Sequence, residues 1–187
     1  MKYLSKFIIA LVIFFSFTEF CFSEERYQCI WRNPERTMMR IFPDAKDYKT
    51  ITKKIPAEDL IVIEERAGAL LPGQKDAFQY YELFGDDNAS LGYIFASTQK
   101  GEYGAIEFVF GVGDTGEIIG IYIQRSRERD KEFKKQEFLD LFIGKTIDDL
   151  YNIEYIETIG TQAVFYGLKK ELTAFEVLSK KLNTDDE

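Results

Sequence analysis

No histidine occurs anywhere in the 187 residues. That absence removes Ser-His-Asp and Cys-His nucleophile systems, CxxCH haem attachment and nearly every zinc site. Neither a phosphate-cradling GxxxxGK[ST] loop nor a GxGxxG fingerprint is present. What remains for chemistry is carboxylates or a bound cofactor. Glu128, Glu132, Asp148 and Asp149 offer carboxylates for acid–base work, but their spacing does not pair them across a cleft. With 32 acidic residues in the chain, some adjacency is expected in any case. No catalytic constellation and no metal-ligand set is therefore read here. The charged loop 126–131, within a charge run over 125–135, follows the last apolar run of the central stretch and is the place expected to meet a ligand. Its ordinary alternative is a solvated face.

The elements that must position this loop lie within 91–145. Three short apolar runs, 91–97, 105–112 and 117–125, are bounded by Gly and Asp and suit strands better than helices. Asp114-Thr115-Gly116 reads as the hairpin between the second and third. An amphipathic helix is expected over 133–142, with Phe138, Leu141 and Phe142 on one face and Gly144 as its stop. Upstream, Asn33 and Pro34 open a helix over 35–42 whose buried candidates are Met38, Met39, Ile41 and Phe42. The Thr-rich segment 44–55 is one strand or an extended crossing. Pro56 opens a helix over 58–67 with Leu60, Ile63 and Ala67 on one face. The alternating FQYYELF of 78–84 is a strand. Downstream, a closing helix from about 162 to 181 presents Ala163, Val164, Leu168, Leu172, Phe175 and Leu178 to the core, and the acidic tail 185–187 is expected to be solvated. The fold class is α+β, a twisted, largely antiparallel sheet flanked by helices. No repeat or linker divides 24–187, which reads as a single domain.

The first 23 residues stand apart. Lys2 and Lys6 precede an apolar run over 7–17, and Cys21-Phe22-Ser23 supplies small residues for a signal peptidase. A cleaved secretory leader is expected, with an uncleaved N-terminal anchor as the alternative. Phe20 before Cys21 argues against lipoprotein processing. The net charge of −8 becomes about −9 once the leader's two Lys and one Glu are removed. That balance argues against a nucleic-acid partner and against attraction to anionic lipid. Apolar and aromatic contents of 45% and 16% are those of a globular chain. Cys29 would be alone in the mature protein, so no intramolecular disulfide is expected, and it reads as a small buried apolar residue.

Several short motifs recur in a recognisable order: Phe42-Pro43-Asp44-Ala45, Leu91-Gly92-Tyr93-Ile94, Gly101-Glu102-Tyr103-Gly104-Ala105-Ile106, the GDTGEIIG of 113–120, Arg127-Glu128, and Phe138-Leu139 followed by Phe142-Ile143-Gly144-Lys145. Together they resemble the FMN-binding domain family, which includes the periplasmic flavin subunits of Rnf-type and sodium-translocating NADH:quinone reductase complexes. The resemblance runs over roughly 33–181. It places Thr158 at the family's Ser-Gly-Ala-Thr position, where a flavin transferase esterifies the Thr hydroxyl to the FMN phosphate. Here Tyr155-Ile156-Glu157 replaces Ser-Gly-Ala. Ile156 restricts the backbone where Gly would free it, and Glu157 sets a negative charge beside a phosphate.

What the resemblance implies is an exported FMN-binding protein, periplasmic or at the outer face of the cytoplasmic membrane, transferring electrons through its flavin. The FMN is covalent through Thr158, noncovalent, or absent. Partners would be a membrane redox complex or a flavin transferase. The phosphate needs cations or helix N-terminal N–H groups, which nominates Lys145, Arg127, Thr158 and Thr161. The ring needs an aromatic slot with aimed polar groups, which nominates Tyr93, Tyr103 and Glu128. Each has a structural alternative: Tyr93 as strand packing, Lys145 at a helix's negative end, Arg127 and Glu128 in a solvated charge run, and Thr158 or Thr161 as a helix cap. The alternative function is a flavin-free relative acting as a binding or structural module.

Overall fold

The computed structural model describes residues 34–153 and 157–180. The leader, Cys29, the Asn33 cap, Tyr155, Ile156 and the acidic tail lie outside the described residues. The elements run α1 Pro34–Ile41, β1 Asp47–Lys54, α2 Ala57–Ala67, β2 Ala77–Phe84, β3 Ser90–Lys100, β4 Ala105–Gly113, β5 Ile118–Arg125, α3 Gln136–Asp140, α4 Ile147–Tyr151 and α5 Ile159–Lys180.

The five strands form one antiparallel meander in sequence order, β1-β2-β3-β4-β5, so every pairing is between chain neighbours. This is the expected α+β class with a largely antiparallel sheet. β4 sits next to the edge strand β5, yet Ile106, Phe108, Val109, Phe110 and Val112 are all essentially inaccessible. That explains why its sequence is nearly continuous apolar rather than alternating. β1, DYKTITKK, is an exposed edge in which charge discourages further pairing. The β4–β5 turn is closed by Gly113 N–H donating to Glu117 O at 2.9 Å, and Gly116 carries the left-handed φ of 88° that the turn requires.

One sheet face carries the main core. Phe78, Tyr80, Phe95, Phe108 and Phe110 lie under α5, whose Val164, Leu168 and Leu172 are buried at helical spacing. Phe175 closes an aromatic cluster there, 5.1 Å from Tyr80 and 5.2 Å from Phe95 between ring centres. The opposite face holds a smaller cluster in which Met38 of α1 and Phe42 just after it cover Leu83 and Ile94. Among the described residues no helix is long and apolar enough to cross a membrane.

Met39, expected in the core, is 55% exposed, and two further expectations needed correction. The helix over 133–142 is broken: a 3-10 turn over Glu132–Lys134 is followed by an extended Lys135 (φ −70°, ψ 140°) and then the short α3. The break resets the helical phase, so Leu139 and Phe142 point inward and Leu141 is 58% exposed. The closing helix starts at Ile159, three residues earlier than its apolar stripe suggests, because Thr158 and Thr161 provide a cap upstream of that stripe.

Candidate functional site

Three segments converge at one end of the sheet: the β3–β4 hairpin 101–104, the loop 126–135 that leaves β5, and the first turn of α5. Glu128 ties the first two together. It is 2% exposed, and its carboxylate accepts the Glu102 N–H at 3.0 Å and the Tyr103 N–H at 2.9 Å. Its own N–H donates to Ser126 Oγ, and Lys131 Nζ donates to its carbonyl. Glu128 is thus the buried member of a run whose neighbours Arg127 and Arg129 are exposed. Arg129 stacks over the Tyr103 ring at 4.8 Å, and Tyr103 as a residue is 43% exposed.

The third segment is held by reciprocal threonines. Thr158 Oγ1 accepts the Thr161 N–H at 3.2 Å, Thr161 Oγ1 accepts the Thr158 N–H at 2.9 Å, and the two hydroxyl oxygens are 3.1 Å apart. This is the capping-box arrangement with Thr in place of the usual acidic partner. Gly160, in the same turn, lies against the fully buried ring of Phe133; a Cβ there would come within 2.5 Å of Phe133 Cδ1. Phe133 belongs to the 126–135 loop, so this contact seats the helix start on the loop.

Asp130 joins the loop to the cap. The Thr158 hydroxyl, followed by the N–H groups of Glu132 and Lys131, holds its carboxyl below the ordinary range. Oδ1 takes the Glu132 N–H at 2.9 Å, while Oδ2 is buried and has no bond of regular geometry among the described residues. Lys134 lies over the Phe133 ring at 5.6 Å; burial, and then repulsion from Lys131, lowers its pKa. Two cations therefore sit close to the helix start. Among the described residues no group of acidic or cysteine side chains is placed to hold a metal ion.

The sequence-predicted residues divide between two ends of the molecule. Thr158, Thr161, Glu128 and Tyr103 are brought together, with Arg127 exposed on the same loop. Lys145 and Tyr93 are elsewhere. The Lys145 carbonyl accepts the Ile118 N–H at 2.9 Å, which fixes it at the opposite end of β5 from Arg125, about 23 Å away at about 3.3 Å per residue. Tyr93 pairs with Val112 and packs on Phe175 at 4.8 Å, about 25 Å along α5 from Thr158. A single mononucleotide does not span these distances, so Lys145 and Thr158 cannot grip the same phosphate. The far end has its own feature, an apolar groove of about 270 Å³ between Val112, Gly116, Ile147, Leu172, Phe175 and Ser179.

Asp130, Lys131, Phe133 and Lys134 were not singled out from sequence, because their run of charge is what a solvated face also looks like. The alternation of buried Glu128 with exposed arginines is a signal only once the loop's path is known. No protein-family model matches the chain, and no curated protein matches it in sequence.

Proposed function

We propose that this is an exported FMN-binding domain of electron-transfer type, holding the flavin phosphate at the start of α5. The observation that carries the reading is the placement of Thr158: the residue that the family resemblance nominates as acceptor is the cap of a 22-residue helix, beside the loop and hairpin nominated for the same site. The donor set suits a phosphate. The first-turn N–H groups of Ile159 and Gly160 lack partners within the helix, the helix dipole favours an anion there, and Lys131 and Lys134 supply nearby positive charge. Bound FMN would supply one- and two-electron redox chemistry. The chain's own residues would do the rest. Thr158 offers the hydroxyl, Gly160 lets Phe133 seat the turn, and Glu128 fixes the hairpin that presents Tyr103. The partners proposed are a membrane redox complex and a flavin transferase, and the location is the periplasm or the outer face of the cytoplasmic membrane.

The test is the intact mass and visible spectrum of protein exported together with a flavin transferase. The expected result is a flavin spectrum with added FMN mass that disappears in Thr158→Ala. Colourless protein that also takes up no FMN on titration to millimolar concentration overturns the proposal.

One observation favours a second reading, a flavin-free scaffold serving as a binding module. The Thr158 hydroxyl is already engaged by the Thr161 N–H, and Asp130, whose carboxyl that hydroxyl holds below the ordinary range, brings a negative charge to the same turn. Uptake of FMN with micromolar affinity or tighter would exclude it.

A further inference from the structure

The two edges of the sheet are finished differently. β1 is guarded by charge, with Asp47, Lys49, Lys53 and Lys54 along its length. β5 reads IIGIYIQR, and its first charge is Arg125 at the very end. The start of its outer edge is paired: the Ile118 N–H donates to the Lys145 carbonyl at 2.9 Å, and the Gly144 N–H donates to the Ile118 carbonyl at 2.8 Å. Among the described residues, no backbone group outside the sheet bonds the backbone of 119–123. The edge is thus begun as an antiparallel ladder and then left open.

Large apolar side chains gather along it. Ile119 and Tyr122 on the strand are 41% and 39% exposed. Leu141 and Ile143, on the stretch that leads to Gly144, are 58% and 39% exposed. Ile121 and Ile123 are only partly buried against the main core, because β5 is the last strand of the sheet. An uncharged apolar edge is what sheets of single chains avoid and what a further strand would cover.

Charge indicates which strand that is. The β4–β5 turn carries Asp114 and Glu117 at one end of the edge, Arg125 and Arg127 stand at the other, and all four are exposed. Arg125 lies 3.8 Å from Glu107 with its side chain still 58% exposed, and Glu117 accepts the Thr115 hydroxyl at 2.9 Å. Turned end for end, β5 is complementary to itself.

We propose that two copies of this chain pair through β5, antiparallel about a two-fold axis near Ile121, joining their sheets edge to edge. Glu117 of each copy then faces Arg125 of the other, whereas a parallel arrangement would set like charges together. The Gly144 and Lys145 bonds to Ile118 confine the shared ladder to 119–125. The loop 126–135 leaves β5 where the other copy's acidic turn arrives, so the exposed Arg127 gains carboxylate neighbours there. The pairing does not depend on a flavin being bound.

Sedimentation velocity of the purified protein between about 1 and about 500 µM tests this. A monomer–dimer equilibrium with micromolar Kd is expected. Tyr122→Lys, at an exposed position, brings two like charges close across the axis and should raise Kd at least about tenfold. Glu117→Arg should weaken the dimer as well, and combining it with Arg125→Glu should recover most of the loss. Should Tyr122→Lys fail to fold by circular dichroism, the charge swap decides, since both of its positions are exposed. A monomer throughout the concentration range overturns the proposal and leaves the edge to an extended peptide of another protein. A dimer indifferent to Tyr122→Lys and Glu117→Arg, or a charge swap that recovers nothing, overturns it too.

Discussion

Glu128 and Thr158 show how single side chains set the geometry at the candidate site. Glu128 closes the 101–104 hairpin onto the loop after β5 through two backbone N–H groups. Glu128→Ala strands both donors and is expected to cost about 2–3 kcal/mol, while Glu128→Gln keeps an acceptor and costs less; urea unfolding of the two variants measures the difference. Thr158 has two roles that substitution separates. Thr158→Ala should lose both any attached flavin and about 1 kcal/mol of cap stability, whereas Thr158→Ser should keep the cap and retain a hydroxyl for attachment. Equal stability of wild type and Thr158→Ala would show the cap to be dispensable. The sequence nominated Glu128, Thr158, Thr161 and Tyr103 through motif order. It did not disclose that Asp130 touches Thr158, because that contact joins residues far apart in the chain and depends on the loop folding back over the helix start.

The strands and the helices differ in how much of each was readable. β3, β4 and β5 were legible because short apolar runs, bounded by Gly and Asp, fix both the element type and its ends. The segment 133–142 was misread as one continuous helix, since periodicity alone does not register the extended Lys135 that divides it. α5 shows a related limit. Gly167 looks like a weak spot in a helix, where Ala would ordinarily gain about 1 kcal/mol. Its position against the sheet reverses the sign: a Cβ would lie 2.5 Å from Phe108 Cζ and 2.9 Å from Gln99 Cγ. Phe108 is fully buried and cannot give way. Gly167→Ala is therefore expected to destabilise by about 1–3 kcal/mol, with the loss read as a lower urea midpoint at unchanged slope.

At the scale of the whole molecule, titration of a few groups sets the dependence of stability on pH. Glu171 binds its proton more tightly folded than unfolded, so stability falls as pH rises from about 4.5 toward about 7 and levels off above. Asp130 and Glu64 are shifted the other way, Asp130 by the Thr158 hydroxyl and Glu64 by its Lys75 bond. Their contribution is present above the unfolded values and is lost as acid takes pH down through the lowered ones. The expected profile of urea stability peaks at about pH 5, and Glu171→Gln should remove the fall on the alkaline side. A maximum at neutral pH in the wild type would contradict it. By itself the sequence determined the class of fold, the meander order and the absence of histidine chemistry, because these follow from local periodicity, turn residues and composition. Only the tertiary structure decided which candidates share a site. It put Lys145 and Tyr93 at one end of the sheet and Thr158 at the other, since strand direction and helix placement fix distances that spacing along the chain does not encode.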